Sequence, residues 1–326
     1  MSNILAVSAK SAVIEFKIFK LYNKLKINQL IDGVIKRLDE NQASVNLKQL
    51  GSNKTESTVI KYQEDDFYYF AIDYIVNNAL TSKYVIDKIL HHYSYGGELT
   101  EVVALHPNTH IELTKYDAVR NQHITSNIVK ICTQLFPAAR QYACFDNDFF
   151  KKYSEANRQY AVKSYNYDYS IATFDGLIVY SICHKLESIL EHKHAKGKFV
   201  IINLDLYSSI NSIKNFKPIF SEDFIYSQHE DVNYITRKIA THIMSHAVYL
   251  NGLDGIVFTG EYAINAPKLR EQILDQLGFM GFVINKKSNN RNKIRLSDKD
   301  KNKYVLLMTS DVPKALLDLY VLYKVL

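Results

Sequence analysis

The residues able to carry chemistry in this chain are dispersed rather than gathered in one motif. His242 and His246 stand four apart, a spacing that lets two imidazoles on one helical face share a cation. No third ligand is evident beside them, and a long helix carries such a pair by chance. His91-His92 and His192/His194 read as solvated or strand-end histidines. Asp146 follows the apolar run 141–145. The carboxyl end of a strand is where α/β sheets hold ligands, although a turn or capping carboxylate fits the same place. Cys132, Cys144 and Cys183 lie in apolar surroundings without CxxC spacing. An odd number of buried-looking thiols implies a reducing compartment with neither structural zinc nor a disulfide framework.

Elements able to position these groups follow from apolar periodicity. Residues 4–7 and 13–19 read as paired strands separated by a polar break at 8–11, and 44–50 and 58–63 as two more. Helical spacing occupies 66–78, 126–135 and 232–250. Thr173 can cap a helix through Glu191 whose Leu177, Ile182, Leu186 and Ile189 share a face. Strands are expected at 141–145, 198–203 and 209–213. Residues 254–277 read as strand, glycine turn and helix, with Pro267 in the tolerated first turn. A last helix covers 315–326. Antiparallel strands followed by strand–helix alternation occur twice, which predicts an α/β protein of two similar lobes.

The 326 residues suffice for two domains with cores of their own. Apolar residues make up 47% and charged residues 23%, which argues against large-scale disorder. The net charge is only +6, and the one dense basic stretch, 286–303, is interrupted by Asp298 and Asp300. A solvated hairpin accounts for it, so no nucleic-acid partner is expected. No apolar run spans a bilayer and residues 1–10 lack a signal pattern, so no membrane partner is expected and a cytoplasmic location is the default.

Residues 252–285, GLDGIVFTGEYAINAPKLREQILDQLGFMGFVIN, resemble the acetate kinase (acetokinase) family through Phe258-Thr259-Gly260, Asn265, Arg270-Glu271, Leu277-Gly278-Phe279 and Gly281. Residues 132–150, CTQLFPAARQYACFDNDFF, are similar to that family's Leu-Phe-Pro and Phe-Asp-Thr-x-Phe block. Tyr95-Gly96-Gly97-Glu98, with Thr100-Glu101, resembles its His-Gly-Gly-Glu turn. Most of the chain is collinear with the family, and a long family segment is missing between Ile219 and Asp231. The resemblance implies two ribonuclease-H-like lobes, as in actin, hexokinase and the heat-shock ATPases. It places the first lobe at 1–147 plus 312–326 and the second, shortened, at 148–311.

Such a fold transfers phosphate by positioning and electrostatics, so it needs cations, Mg²⁺ and glycine turns around the phosphoryl group. Against the family pattern this chain is depleted. The polar glycine turn after the first strand reads Ser8-Ala9-Lys10-Ser11-Ala12-Val13. The arginine before the Gly-Gly turn falls at His92. An Arg…His block falls on 166–171, where Asn166 and Ser170 replace arginine and histidine. A His-Leu-Gly-Asn-Gly-Ser-Ser loop reads Asn203-Leu204-Asp205-Leu206-Tyr207-Ser208-Ser209. What remains, by resemblance, is Asp146 as catalytic and metal-linked carboxylate and Asp311 near the magnesium-linked position. Arg120 stands at a substrate-side position, or is a surface arginine. Ser208, Ser209, Gly260 and Asn265 line a nucleotide cleft, or the last two are ordinary turn residues beside Glu261. The expectation is a pseudoenzyme with a binding or assembly role; the alternative is an active acetate or propionate kinase. The implied cofactor is Mg-ATP. The implied partners are a nucleotide, a small carboxylate or a protein, and homodimerisation stays open.

Overall fold

The computed structural model describes residues 1–23, 26–52, 54–62, 66–79, 84–97, 99, 101–150, 175–205, 207–225, 231–298 and 302–324. Glu98, Thr100, the 166–171 block, Thr173 and Asp300 lie outside them. The chain divides into two compact units, Met1–Asp148 with Val312–Leu326, and Phe149–Asp311.

The first unit is built on an eight-stranded sheet. Its strands are β1 (Ser2–Lys10), β2 (Val13–Asn23), β3 (Lys26–Arg37), β4 (Gln42–Gln49), β5 (Glu56–Lys61), β6 (Lys88–Tyr93), β7 (Val103–Ala104) and β8 (Arg140–Phe145). Their order is β5-β4-β3-β2-β1-β6-β8-β7. β1 to β5 form an antiparallel meander, while β1, β6 and β8 are parallel. β1 runs on through the polar residues expected to break it, because Ser8 pairs with Glu15 and only Ser11-Ala12 make the turn. β3 escapes the pattern of alternation because Gly33 interrupts it. That glycine is required: a Cβ there would lie 2.3 Å from Phe16 Cζ.

Helices α1 (Phe67–Tyr74), α2 (Pro107–Thr114) and α3 (His123–Leu135) belong to this sheet's unit. Asp66 caps α1, its Oδ1 accepting from the Tyr68 and Tyr69 amides. Ile72 of α1 and Ile128 of α3 enter one core with Leu5, Val7, Phe16 and Ile89. Each such burial contributes about 1.5–3 kcal/mol.

The second unit carries a five-stranded sheet in the order β11-β10-β9-β12-β13. β9 is Lys198–Asn203, β10 Tyr207–Lys214, β11 Lys217–Ile225, β12 Gly255–Thr259 and β13 Tyr304–Leu307. β9, β12 and β13 are parallel, and β10 and β11 extend the sheet antiparallel. Helix α4 (Gly176–Ile189) packs Ile182 and Leu186 against Phe199, Ile201 and Val257. On the other face α5 (Val232–Leu250) brings Ile239 and Ile243 to Val200, Ile202 and Phe258. Covered on both faces, β9 and β12 read as unbroken apolar runs rather than alternation.

α6 (Glu261–Asn265) and α7 (Pro267–Asp275) follow β12. The basic stretch is not a simple hairpin. Asn285 Oδ1 accepts from the Ser288 amide and starts α8 (Lys286–Asn290), after which Arg295 bridges to Leu306. α9 (Val312–Lys324) returns to the first unit, three residues ahead of the periodic start and with Pro313 in its first turn. Among the described residues no helix is long and apolar enough to cross a membrane.

Arg270 of α7 is fully buried and meets no carboxylate in its hydrogen-bond set. It donates to the carbonyls of Ala263, Ile264 and Asn289 and to the side chains of Asn289 and Asn292, tying α6, α7 and α8 together. Burial lowers its pKa to about 10, so it remains charged at neutral pH. Arg270→Ala leaves those acceptors unmet beside a cavity and should cost roughly 3–5 kcal/mol. Denaturant unfolding of the second unit checks this; a midpoint shift worth less than about 1 kcal/mol would contradict the staple.

Candidate functional site

At the carboxyl ends of β1, β6 and β8 three polar side chains meet inside the first unit. Ser8 Oγ lies 2.9 Å from His92 Nδ1, and His92 Nε2 lies 3.1 Å from Asp146 Oδ2. Ser8 and Asp146 are buried, and the His92 side chain is 10% exposed. The backbone holds the group firmly: the Asp146 amide donates to Tyr93 O and Thr125 Oγ1 donates to His92 O. The contact to Asp146 has ion-pair length but not hydrogen-bond alignment, so His92 Nε2 is a buried nitrogen with no hydrogen-bond partner. His91, its neighbour on β6, is fully buried; burial pushes its pKa down to about 4, against the pull of the hydrogen bond that its Nε2 donates to Gln141 Oε1. Of the two readings of this pair, burial overturns the solvated one, because β6 is an interior strand of its sheet, while both residues do lie near the end of that strand.

The Gly-Gly turn sits beside these strands. Gly97 has φ +62°, and a Cβ on Gly96 would lie 2.5 Å from Leu99 O. Gln122 Oε1 accepts from the Tyr95 amide. Arg120 is a half-buried, left-handed residue (φ 44°, ψ 41°) in the short turn after α2.

In the second unit the resemblance-derived residues gather around Asn203, at the end of β9. Ser209 Oγ donates to Asp175 Oδ2 at 2.6 Å, and Asn203 Nδ2 donates to the same oxygen at 2.9 Å. Asp175 has a left-handed backbone (φ 66°) at the start of α4. It makes no side-chain cap there, its carboxylate being turned to Ser209 and Asn203 instead. Asn211 Nδ2 donates to Ser209 Oγ, and Ser221 Oγ donates to Asn211 Oδ1, so the buried polar chain continues to β11. Ser208 closes a tight turn on Asp205, donating to its carbonyl and accepting from its amide. Both serines are fully buried.

Gly260 approaches this cluster from β12. Its φ is +93°, and a Cβ would lie 2.4 Å from Leu204 O and 2.6 Å from Asn203 Oδ1. Asn265, exposed, ends α6. Asp311 is half-buried at the end of the unit, its amide donating to Ser181 Oγ. The residues that sequence reasoning missed are Asp175 and Glu222. An Asp-Gly pair before a helix marks Asp175 as a turn residue, but nothing local reports its partners across the sheet.

The His242/His246 pair has a partner that periodicity could not reveal. Glu222 Oε1 of β11 lies 2.7 Å from His242 Nδ1 and 3.1 Å from His246 Nε2, and His246 Nδ1 meets Ser212 Oγ at 2.5 Å. This is a hydrogen-bonded clamp of β11 onto α5; among the described residues no set of three or more His, Cys, Asp or Glu side chains could hold a metal ion. All three cysteines are free and buried, and burial pushes their thiols up, out of reach of thiolate chemistry.

Residues 3–221 and 227–311 match the model of the acetokinase family. The chain belongs to the acetokinase family. The acetate kinase of Francisella tularensis subsp. holarctica is 22% identical, covering 95% of this chain and 97% of that protein. The acetate kinase of Phytoplasma australiense is 21% identical over 88% and 89%. The structure of a propionate kinase from Francisella tularensis subsp. tularensis superposes with a TM-score of 0.74 at 18% identity, covering 98% and 99% of the two chains. That of the Entamoeba histolytica acetate kinase gives 0.70 at 17%, covering 97% and 98%. These likenesses show the two-lobed α/β fold.

The acetokinase family implies Mg²⁺ with ATP, so its fit can be tested on these residues. Mg²⁺ demands a near-ideal octahedral shell of oxygens at 2.0–2.1 Å and prefers carboxylates and phosphates. The atom facing Asp146 Oδ2 is an imidazole nitrogen. Among the described residues Asp146 is thus the carboxylate that would hold such an ion, with an imidazole nitrogen, a donor that Mg²⁺ disfavours, beside it.

Two outcomes follow. Gly260→Ala would combine backbone strain with a clash against Leu204 O, a loss of roughly 1–3 kcal/mol from the strain alone; thermal unfolding of the variant measures it, and an unchanged midpoint would contradict the close approach. The clamp makes the second unit acid-sensitive. Burial lowers His246 below its usual 6.5, outweighing the upward pull of Glu222. Burial raises Glu222, but hydrogen bonds and charge from His242 and His246 outweigh it and bring it down to about 2. In both cases the unfolded chain binds protons that the folded one refuses. Stability should therefore fall as pH drops below 6.5, and fall again from 4.5 toward 2. Hydrogen exchange of the α5 amides against pH reads this, and a flat profile from pH 7 to 5 would show that His246 is not held neutral.

Proposed function

We propose that this acetokinase-family chain has lost phosphoryl transfer and serves as a pseudoenzyme with a binding or assembly role. The observation that supports this most is the Asp175 carboxylate held against Ser209 and Asn203. A phosphate-binding loop must present free donors and positive potential to an anion. Here the Ser209 hydroxyl is spent on a carboxylate and the Ser208 hydroxyl on its own turn. A buried negative charge at that position repels a nucleotide's phosphates. Removing even one preorganised donor to a developing charge typically costs about 10²–10³ in rate. Here several donors and cations are replaced together.

The same reading gives Arg120, Gly260, Asn265 and Asp311 no catalytic duty. The ligands left open are a nucleotide or small carboxylate bound without chemistry, and a protein partner. Asp146, kept at a strand's carboxyl end, together with Asp311, Arg120 and the overall resemblance, favours the alternative of an active acetate or propionate kinase.

The decisive assay incubates concentrated, folded protein with Mg-ATP and acetate or propionate, trapping acyl phosphate as the hydroxamate. No hydroxamate above a protein-free control is the expected outcome. Hydroxamate formation that Asp146→Asn abolishes would establish the kinase instead.

A further inference from the structure

We propose that two copies of this chain pair through β5, strand against strand, about a two-fold axis at Val59. β5 closes one end of the eight-stranded sheet. Its side chains are exposed from Glu56 to Val59 and again at Lys61, with Val59 at 59%. The unpaired backbone of such an edge is a template for another strand. Among the described residues the other sheet ends are blunted. β7 has only two residues, β11 carries Pro218, Glu222 and Asp223, and β13 is met by Arg295 through a bridge to Leu306. β5 has no proline, no register shift against β4, and charges only at its two ends.

The ladder fixes which backbone groups of β5 face outward. The Tyr62 amide donates to Asn41 O, so on the β4–β5 register Glu56, Thr58 and Ile60 point their amides and carbonyls at β4. The Leu50 amide donates to Leu30 O, which by the same alternation turns Ala43, Val45 and Leu47 of β4 toward β5 and agrees with this. Ser57, Val59 and Lys61 therefore point theirs away from the sheet. An antiparallel pair joins outward residues to outward residues. Of the registers that a two-fold axis permits, the one centred on Val59 engages all of these: Val59 meets Val59, and Ser57 meets Lys61 of the second copy. Thr58 then lies across from Ile60, and Glu56 across from Tyr62. β-Branched residues pair on both faces and no like charges stand opposite each other. An edge complementary to its own copy meets the condition of an isologous interface, which selects a second copy of this chain over an unrelated strand.

Sedimentation equilibrium of the full chain over about a hundred-fold range of concentration should show a reversible monomer–dimer equilibrium. Val59→Pro deletes only an outward amide, at a position where an edge strand accepts proline. It should weaken the dimer at least about ten-fold while the thermal midpoint holds. Val59→Lys, which sets two like charges across the axis, should weaken it too. Val248→Lys, at an exposed apolar residue of α5, should leave it unchanged. The native cysteines are buried, so Val59→Cys oxidised with copper–phenanthroline reports the register. A disulfide-linked dimer is expected from Val59→Cys and not from Thr58→Cys. A monomer at every concentration, a dimer that Val59→Pro leaves intact, or cross-linking of Thr58→Cys as fast as that of Val59→Cys would each overturn the inference. Should Val59→Pro fail to fold, the two cysteine variants decide alone. Hydroxamate formation in the kinase assay would sink the loss of phosphoryl transfer while leaving this interface standing, so the two can fail separately.

Discussion

Polar groups brought to the carboxyl ends of buried parallel strands leave water behind, and each must find a partner or a ligand. That constraint organises both units. In an enzyme site some of these groups stay unpaired until substrate arrives, and the fold bears the cost. In this chain the described residues of the second unit pair several of them internally: Asp175 takes Ser209 and Asn203, Ser208 takes its own turn, and Asn211 links Ser209 to Ser221, while Asn203 Oδ1 stays without a hydrogen-bond partner. Hydrogen bonds to a carboxylate in a low-dielectric interior are expensive to open. An incoming phosphate would have to break charge-assisted bonds to Asp175 and still face the charge left behind.

The same principle accounts for β11. It lies at the edge of its sheet, where unpaired backbone groups make a strand a liability. Glu222 fixes it to α5 through His242 and His246, and Phe220 and Phe224 stack on Tyr249 and His242. The histidine pair that looks like half a metal site thus tethers a sheet edge, and its carboxylate comes from a residue twenty positions away in the chain.

What was legible in the residues was what is local. The unbroken apolar runs of β9 and β12 identify strands covered on both faces, and Gly260 with Pro267 marks the turn and helix after β12. The family motif over 252–285 marks the turn with positive φ and the buried Arg270 together. β3 was not legible, because the glycine that makes room for the Phe16 ring also breaks its alternation. The start of α8 depends on one asparagine side chain, which a basic, polar stretch conceals. The candidate site was half legible: the strand ends that carry Asp146 and Ser209 are visible, but their partners His92 and Asp175 arrive from distant segments. No periodicity encodes a contact between residues 92 and 146, or 175 and 209.

The resemblance sets His92 where the family pattern has an arginine, and the two side chains differ in more than size. An arginine is charged at every accessible pH and presents a planar fork of donors, so a site built on it selects anions permanently. An imidazole is a conditional group, able to be neutral, charged or a metal ligand according to what lies beside it. Set between a serine oxygen and a buried carboxylate, it no longer offers a fixed positive charge to a transferring phosphoryl group. The difference thus leaves strand ends that β1, β6 and β8 bring together without the permanent cation on which an anion site relies.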